Sequence, residues 1–163
     1  MKIGLLPLYI QLYEGCAPDY HAPAQRAADT AAKALRKCGF GVESTSLCHV
    51  KEEISTAVRK FEEANCQVLV TLHAAYSPSL EAVETMVGTK LPIVVFDTTP
   101  DAEFGFDFGG KLMLNHGIHG VQDMCNMLLK HKKRFLIRAG HIGDRNFMAR
   151  MKQAVIAAAP RTK

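Results

Sequence analysis

The sequence predicts an α/β fold, a doubly wound five-stranded parallel sheet arranged as a flavodoxin-like three-layer sandwich. Three observations carry this. Five short apolar runs and five helical stripes alternate strictly along the chain. The runs are mostly continuous rather than alternating in polarity, as strands buried on both faces require. The length of 163 residues, with 48% hydrophobic content, suits one domain spanning 1–163 that buries roughly 70% of its unfolded surface. Right-handed crossovers then place helices on both faces of the sheet.

The elements follow in order. "IGLLPLY" (3 to 9) is the first strand. Ala24, Ala27, Ala28, Ala31, Leu35 and Cys38 recur at helical spacing, and Gly39 stops that helix. "FGVESTSL" (40 to 47) reads as the second strand, and Ile54, Ala57, Val58, Phe61 and Ala64 as the stripe of the second helix. "QVLVTLH" (67 to 73) is the third strand and the central one. "SPSLEAVETMVG" (77 to 88) is a short helix, with Ser77 as its N-cap and a closing glycine. "LPIVVFD" (91 to 97) is the fourth strand, and residues 98 to 110 form the longest connection. A helix bearing Val121, Cys125 and Leu128 precedes the fifth strand, "RFLIRAG" (134 to 140). Asp144 caps a last helix carrying Phe147, Met151, Ala154 and Val155.

Composition excludes several classes. The five cysteines are odd in number and form no Cys-x-x-Cys pair, which argues against a disulfide framework or structural zinc and for a reducing, cytoplasmic setting. The N-terminal apolar run is too short to span a membrane, so no membrane partner is expected. The basic knot "KHKKR" (130 to 134) reads as a solvated helix end, and without an aromatic or base-reading motif nucleic acid is not expected as a partner. No phosphate-binding glycine pattern follows the first strand, which disfavours nucleotides and flavins; no nucleophile signature is present either.

In such sheets ligands bind outside the carboxyl ends of the strands. The segments there offer Gln11, Tyr13 and Glu14 after the first strand, His73, Tyr76 and Ser77 after the third, and Asp97 and Thr98 after the fourth. Asn115, His116 and His119 follow the long connection, and His141 and Asp144 the fifth strand. The stretch "NHGIHG" is open to three readings: a metal site, a polar ligand site or a helix start. No carboxylate or cysteine neighbour completes a metal ligand set around His116 and His119. Neutral imidazoles with Gln11 and Tyr13 suit a ligand rich in hydroxyls.

Together "KIGLLPLYIQLYEG", "LVTLHAAYSPSLEAV", "LPIVVFDTTP", "NHGIHGVQDMCNMLL" and "AGH" resemble the N-terminal domain of the L-fucose and L-arabinose isomerase family over nearly the whole chain. The resemblance implies the substrate-contacting and oligomerisation domain of a metal-dependent aldose–ketose isomerase. The catalytic carboxylates and metal ligands then lie outside this chain, so the isolated chain is expected to be inactive. It implies sugar contacts from Gln11, Leu12 and Tyr13 in one loop and from His116 and His119 in a second; His73, at the end of the third strand, is a further candidate substrate contact. It implies a homo-oligomer whose site is completed by a neighbouring subunit. No cofactor is expected on this chain, with Mn²⁺ implied for the full-length enzyme. The alternative is a free-standing flavodoxin-like sugar-binding or regulatory domain without catalysis. A third reading is a small enzyme with its own site at His73, His116 and His141.

Overall fold

The structure is a computed structural model and describes residues 1–103 and 109–160. Part of the long connection expected at 98 to 110 therefore lies outside the described residues, as do the last three residues of the chain. The strands are β1 (Lys2–Leu8), β2 (Gly41–Ser44), β3 (Val68–His73), β4 (Ile93–Asp97) and β5 (Phe135–Ala139). They pair in parallel in the order β2-β1-β3-β4-β5, so β3 is central and the predicted fold class is correct. The helices are α1 (Leu12–Cys16), α2 (His21–Lys37), α3 (Lys51–Glu63), α4 (Ser79–Gly88), α5 (Gly117–Lys130) and α6 (Arg145–Ala158). Two 3₁₀ turns, Pro18–Tyr20 and Gly109–Leu114, lead into α2 and α5.

Helix α1 was not expected; "YIQLYEG" reads as a loop because five residues are too few to show helical period. β2 is shorter than its apolar run, but its pairing resumes after a gap: Cys48 donates its N–H to the Pro7 carbonyl at 2.9 Å, and Tyr9 to that of Cys48 at 3.0 Å. α2 begins three residues before its apolar stripe because the Pro18 turn runs directly into it. It ends at Gly39, whose φ of +94° suits only glycine without strain.

Two cores flank the sheet. Leu5, Val70 and Phe96 face α2 and α6, where Leu35, Phe147 and Met151 are fully buried. Leu6, Leu69 and Val95 face α3, α4 and α5, against Ile54, Met86, Met124 and Leu128. Each such apolar side chain contributes about 1.5–3 kcal/mol when fully buried. Phe147, Met151, Ala154 and Val155 are the buried stripe of α6, as the spacing predicts.

Two terminal assignments need correction. The N-cap of α4 is not Ser77, whose hydroxyl is buried without a partner among the described residues. Instead Asp123, nearly two turns into the neighbouring α5, accepts the Ser79 N–H at 3.1 Å. The basic knot is not wholly solvated either. Lys133 reaches across to the end of α4 and donates to the carbonyls of Val87 and Thr89, so its charge serves the dipole of a neighbouring helix. Asp144 does cap α6, accepting the Asn146 N–H at 2.8 Å. All five cysteines are free, and no helix among the described residues is long and apolar enough to cross a membrane.

Candidate functional site

The carboxyl edge of the sheet carries three groupings. The first lies where β3 meets α5. His73 ends β3 with only 3% of its surface exposed, and neither ring nitrogen has a partner among the described residues. Burial pulls its pKa down to about 4, so the imidazole is neutral at physiological pH. The start of α5 fits against it through glycines. A Cβ on Gly117 would stand 2.5 Å from the His73 carbonyl oxygen, and one on Gly120 2.5 Å from His73 Nδ1 and 3.0 Å from the Ser77 backbone. The glycines of "NHGIHG" therefore admit a side chain and a strand end of this chain, not an external ligand.

The histidines of that motif point elsewhere. His119 is exposed and His116 half-buried, with ring centroids 4.2 Å apart, and Tyr76 stacks at a tilt on His116 at 5.8 Å. Burial and the neighbouring His119 both hold the His116 imidazole below its ordinary pKa. Tyr13 is buried, and its hydroxyl donates to Met113 Sδ at 3.6 Å, which ties α1 to the turn before α5. Gln11 and Leu12 stay exposed. Asn115 clasps the segment after β4: it donates to Asp101 Oδ2 at 2.8 Å and to the Lys111 carbonyl at 3.0 Å, and accepts the Asp101 N–H at 3.1 Å.

The second grouping is a cleft of about 230 Å³ on the α2 side of the same edge. Leu72, Ala27 and Ile142 supply apolar walls, while Arg26, Thr98 and Thr99 supply polar ones. The Thr98 hydroxyl is buried without a partner among the described residues. Thr99 is occupied by the Asp101 carbonyl, to which it donates at 2.7 Å. Arg26 is exposed at the rim. His141 does not join His73 and His116; its ring lies near the Pro100 carbonyl and accepts the Gly143 N–H. Asp97 points into the opposite core, where burial raises its pKa.

The third grouping was missed in the sequence. Glu14, His21 and His49 converge where α1, the start of α2 and the β2–α3 loop meet. Glu14 Oε1 lies 2.6 Å from His21 Nδ1 and 2.9 Å from His49 Nε2. The hydrogen bond from His21, with that from His49, holds the Glu14 carboxyl below its usual pKa. Tyr9 packs edge-on against both imidazoles, and burial pushes its phenol up to about 12.

No family model matches the chain, and no curated protein matches it. Among solved structures it is similar to the Escherichia coli transcriptional repressor AscG (14% identity, covering 86% of this chain and 59% of that one, TM-score 0.40). It is also similar to the Lac repressor bound to ONPG (13% identity, 95% and 54%, TM-score 0.39). A third is the Lac repressor dimer bound to operator and the anti-inducer ONPF (12% identity, 94% and 61%, TM-score 0.39). The chain thus spans little more than half the length of these repressors.

These findings correct the resemblance to the L-fucose and L-arabinose isomerases: no family model and no curated sequence supports the isomerase kinship, and the three solved structures named above are repressors. The expectations of an isomerase domain and of a manganese enzyme fall with it. A physical reason lies in one of the motifs that carried the resemblance. Gly117, Gly120 and Asn115 of "NHGIHG" are accounted for by packing and hydrogen bonds within this chain.

Proposed function

We propose that this chain is a ligand-binding domain with regulatory rather than catalytic output, taking a small polyhydroxylated molecule of the sugar class in the cleft between α2 and the ends of β3 and β4. The observation that carries this reading is an apolar-walled cleft lined by Thr98, whose hydroxyl is buried without a partner among the described residues, with the Arg26 cation at the rim. A buried hydroxyl without a partner costs stability, and a ligand hydroxyl removes that cost on binding. Leu72 and Ile142 offer surface for the apolar face of a sugar ring, and Arg26 can donate to several sugar hydroxyl oxygens. The cleft is below the roughly 300–1,000 Å³ of drug-sized sites, which favours a ligand of monosaccharide size. Among the described residues no carboxylate, cysteine or serine lines it.

Thermal unfolding against a panel of pentoses and hexoses tests this. At a hundredfold excess over Kd a ligand adds about 2.7 kcal/mol, a rise of roughly 5–10 °C for a domain of this size. Thr98→Val and Arg26→Ala should each reduce the shift, and the sugar should be recovered unchanged. A panel without any shift, or shifts indifferent to both substitutions, refutes the assignment.

A further inference from the structure

We infer that Glu14, His21 and His49 form a binding site for one divalent transition-metal ion of the zinc class. The three donor atoms lie within 4.8 Å of one another, although the residues come from three separate segments. Their chemistry is two imidazole nitrogens and one carboxylate oxygen, the set that suits Zn²⁺ or Co²⁺ rather than Mg²⁺ or Ca²⁺. Ligand atoms on a tetrahedral zinc stand roughly 3.3 Å apart, so the spacings of 2.6 and 2.9 Å around Glu14 Oε1 need open by less than about 1 Å.

A second observation is independent of the donor set. His49 is oriented from behind: Glu53 Oε2 lies 3.0 Å from its Nδ1 and accepts its backbone N–H at 2.8 Å. A carboxylate on the far nitrogen fixes the tautomer that leaves Nε2 free to bind metal, an arrangement typical of ligating histidines. His49 is also held in place, with only 11% of its side chain exposed. Its Nδ1 faces the Glu53 carboxylate and its Nε2 the Glu14 carboxylate. A divalent ion would stand between Glu14 and the two imidazoles and leave the Glu53 contact intact. Three protein ligands leave a fourth position open to water or a small anion. The sequence reading, which weighed metal only at His116 and His119, expected no metal on this chain. The proposal stands apart from the sugar reading and shares no residue with the cleft.

The test uses the untagged chain titrated with Zn²⁺ by calorimetry and with Co²⁺ by visible absorption. The expected result is one equivalent bound, with the intense visible bands of four- or five-coordinate cobalt. Glu14→Gln, nearly isosteric, and His49→Ala should each weaken binding at least tenfold. Glu53→Gln should weaken it by about 10- to 100-fold without removing a ligand. A His116→Ala/His119→Ala double variant should bind as the parent chain does. Circular dichroism of each variant without metal controls for folding. No stoichiometric binding by the parent chain overturns the proposal without reference to any variant. So does binding that survives Glu14→Gln and His49→Ala but is lost in the His116/His119 variant.

Discussion

Gly117→Ala tests the packing of α5 against β3 most sharply, because two general effects oppose each other there. Replacing a helical glycine by alanine ordinarily gains up to about 1 kcal/mol from helix propensity. At Gly117 the new methyl meets the His73 carbonyl oxygen at 2.5 Å, a main-chain atom in the central strand. Neither β3 nor the start of α5 can yield without disturbing the core, and overpacking of this kind costs about 1–3 kcal/mol, occasionally more. The first helical position gains little from propensity, so the net expectation is a loss of about 1–3 kcal/mol. At 2–4 °C per kcal/mol for a chain of this length, the midpoint falls by roughly 2–12 °C. Gly88→Ala in α4 is the control, since a Cβ there meets nothing within 4 Å. It should stabilise by about 0.4–1 kcal/mol. Urea unfolding of both variants, with unchanged m-values, reads out the difference. If Gly117→Ala proves as stable as the parent chain, the close approach does not exist and the motif is free to serve an external ligand after all.

Two further outcomes are expected. The His73 imidazole has its pKa near 4 in the native state against 6.5 in the unfolded chain, so between those values the unfolded state binds the proton and the native state does not. Stability is therefore lost as pH falls from 6.5 towards 4, by about 3 kcal/mol at 1.36 kcal/mol per unit. Subtracting the pH profile of His73→Gln removes the carboxylates that titrate in the same window, and parallel profiles would refute the burial of a neutral imidazole. Asn115→Ala should cost about 1–3 kcal/mol, because it strands the Asp101 N–H and removes one partner of its carboxylate; a loss below about 0.5 kcal/mol by chemical denaturation would show that the clasp is idle.

The strands and long helices were legible because each buries a face whose period the sequence displays. β3 and β4 are buried throughout and β1 from Ile3 onward, and their apolar runs show it. The stripe of α6 matched residue for residue. What was not legible depends on tertiary contact. Nothing local indicates that α4 borrows its cap from Asp123 or that Lys133 serves another helix's end. "NHGIHG" was read outward because histidines and glycines together suggest a ligand, whereas the glycines face an imidazole from β3. The Glu14–His21–His49 cluster was missed because its members are up to 35 residues apart and the loop after β2 was not considered. One signal was available: in a sheet with β2 beside β1, a histidine just after β2 lies next to the loop after β1.

The fit of His73 between Gly117 and Gly120 also constrains how sequences of this fold can drift. Gly120 is kept small by a side chain, the His73 imidazole, together with the Ser77 backbone, whereas Gly117 is kept small by a main-chain oxygen. The two positions should therefore vary differently among descendants. Where residue 73 shrinks, residue 120 gains some freedom to acquire a side chain, so positions 73 and 120 covary. Position 117 gains no such freedom, since every residue at 73 carries the same carbonyl. Glycine at 117 should persist after the histidine is gone, a mark of the strand tip that once held it.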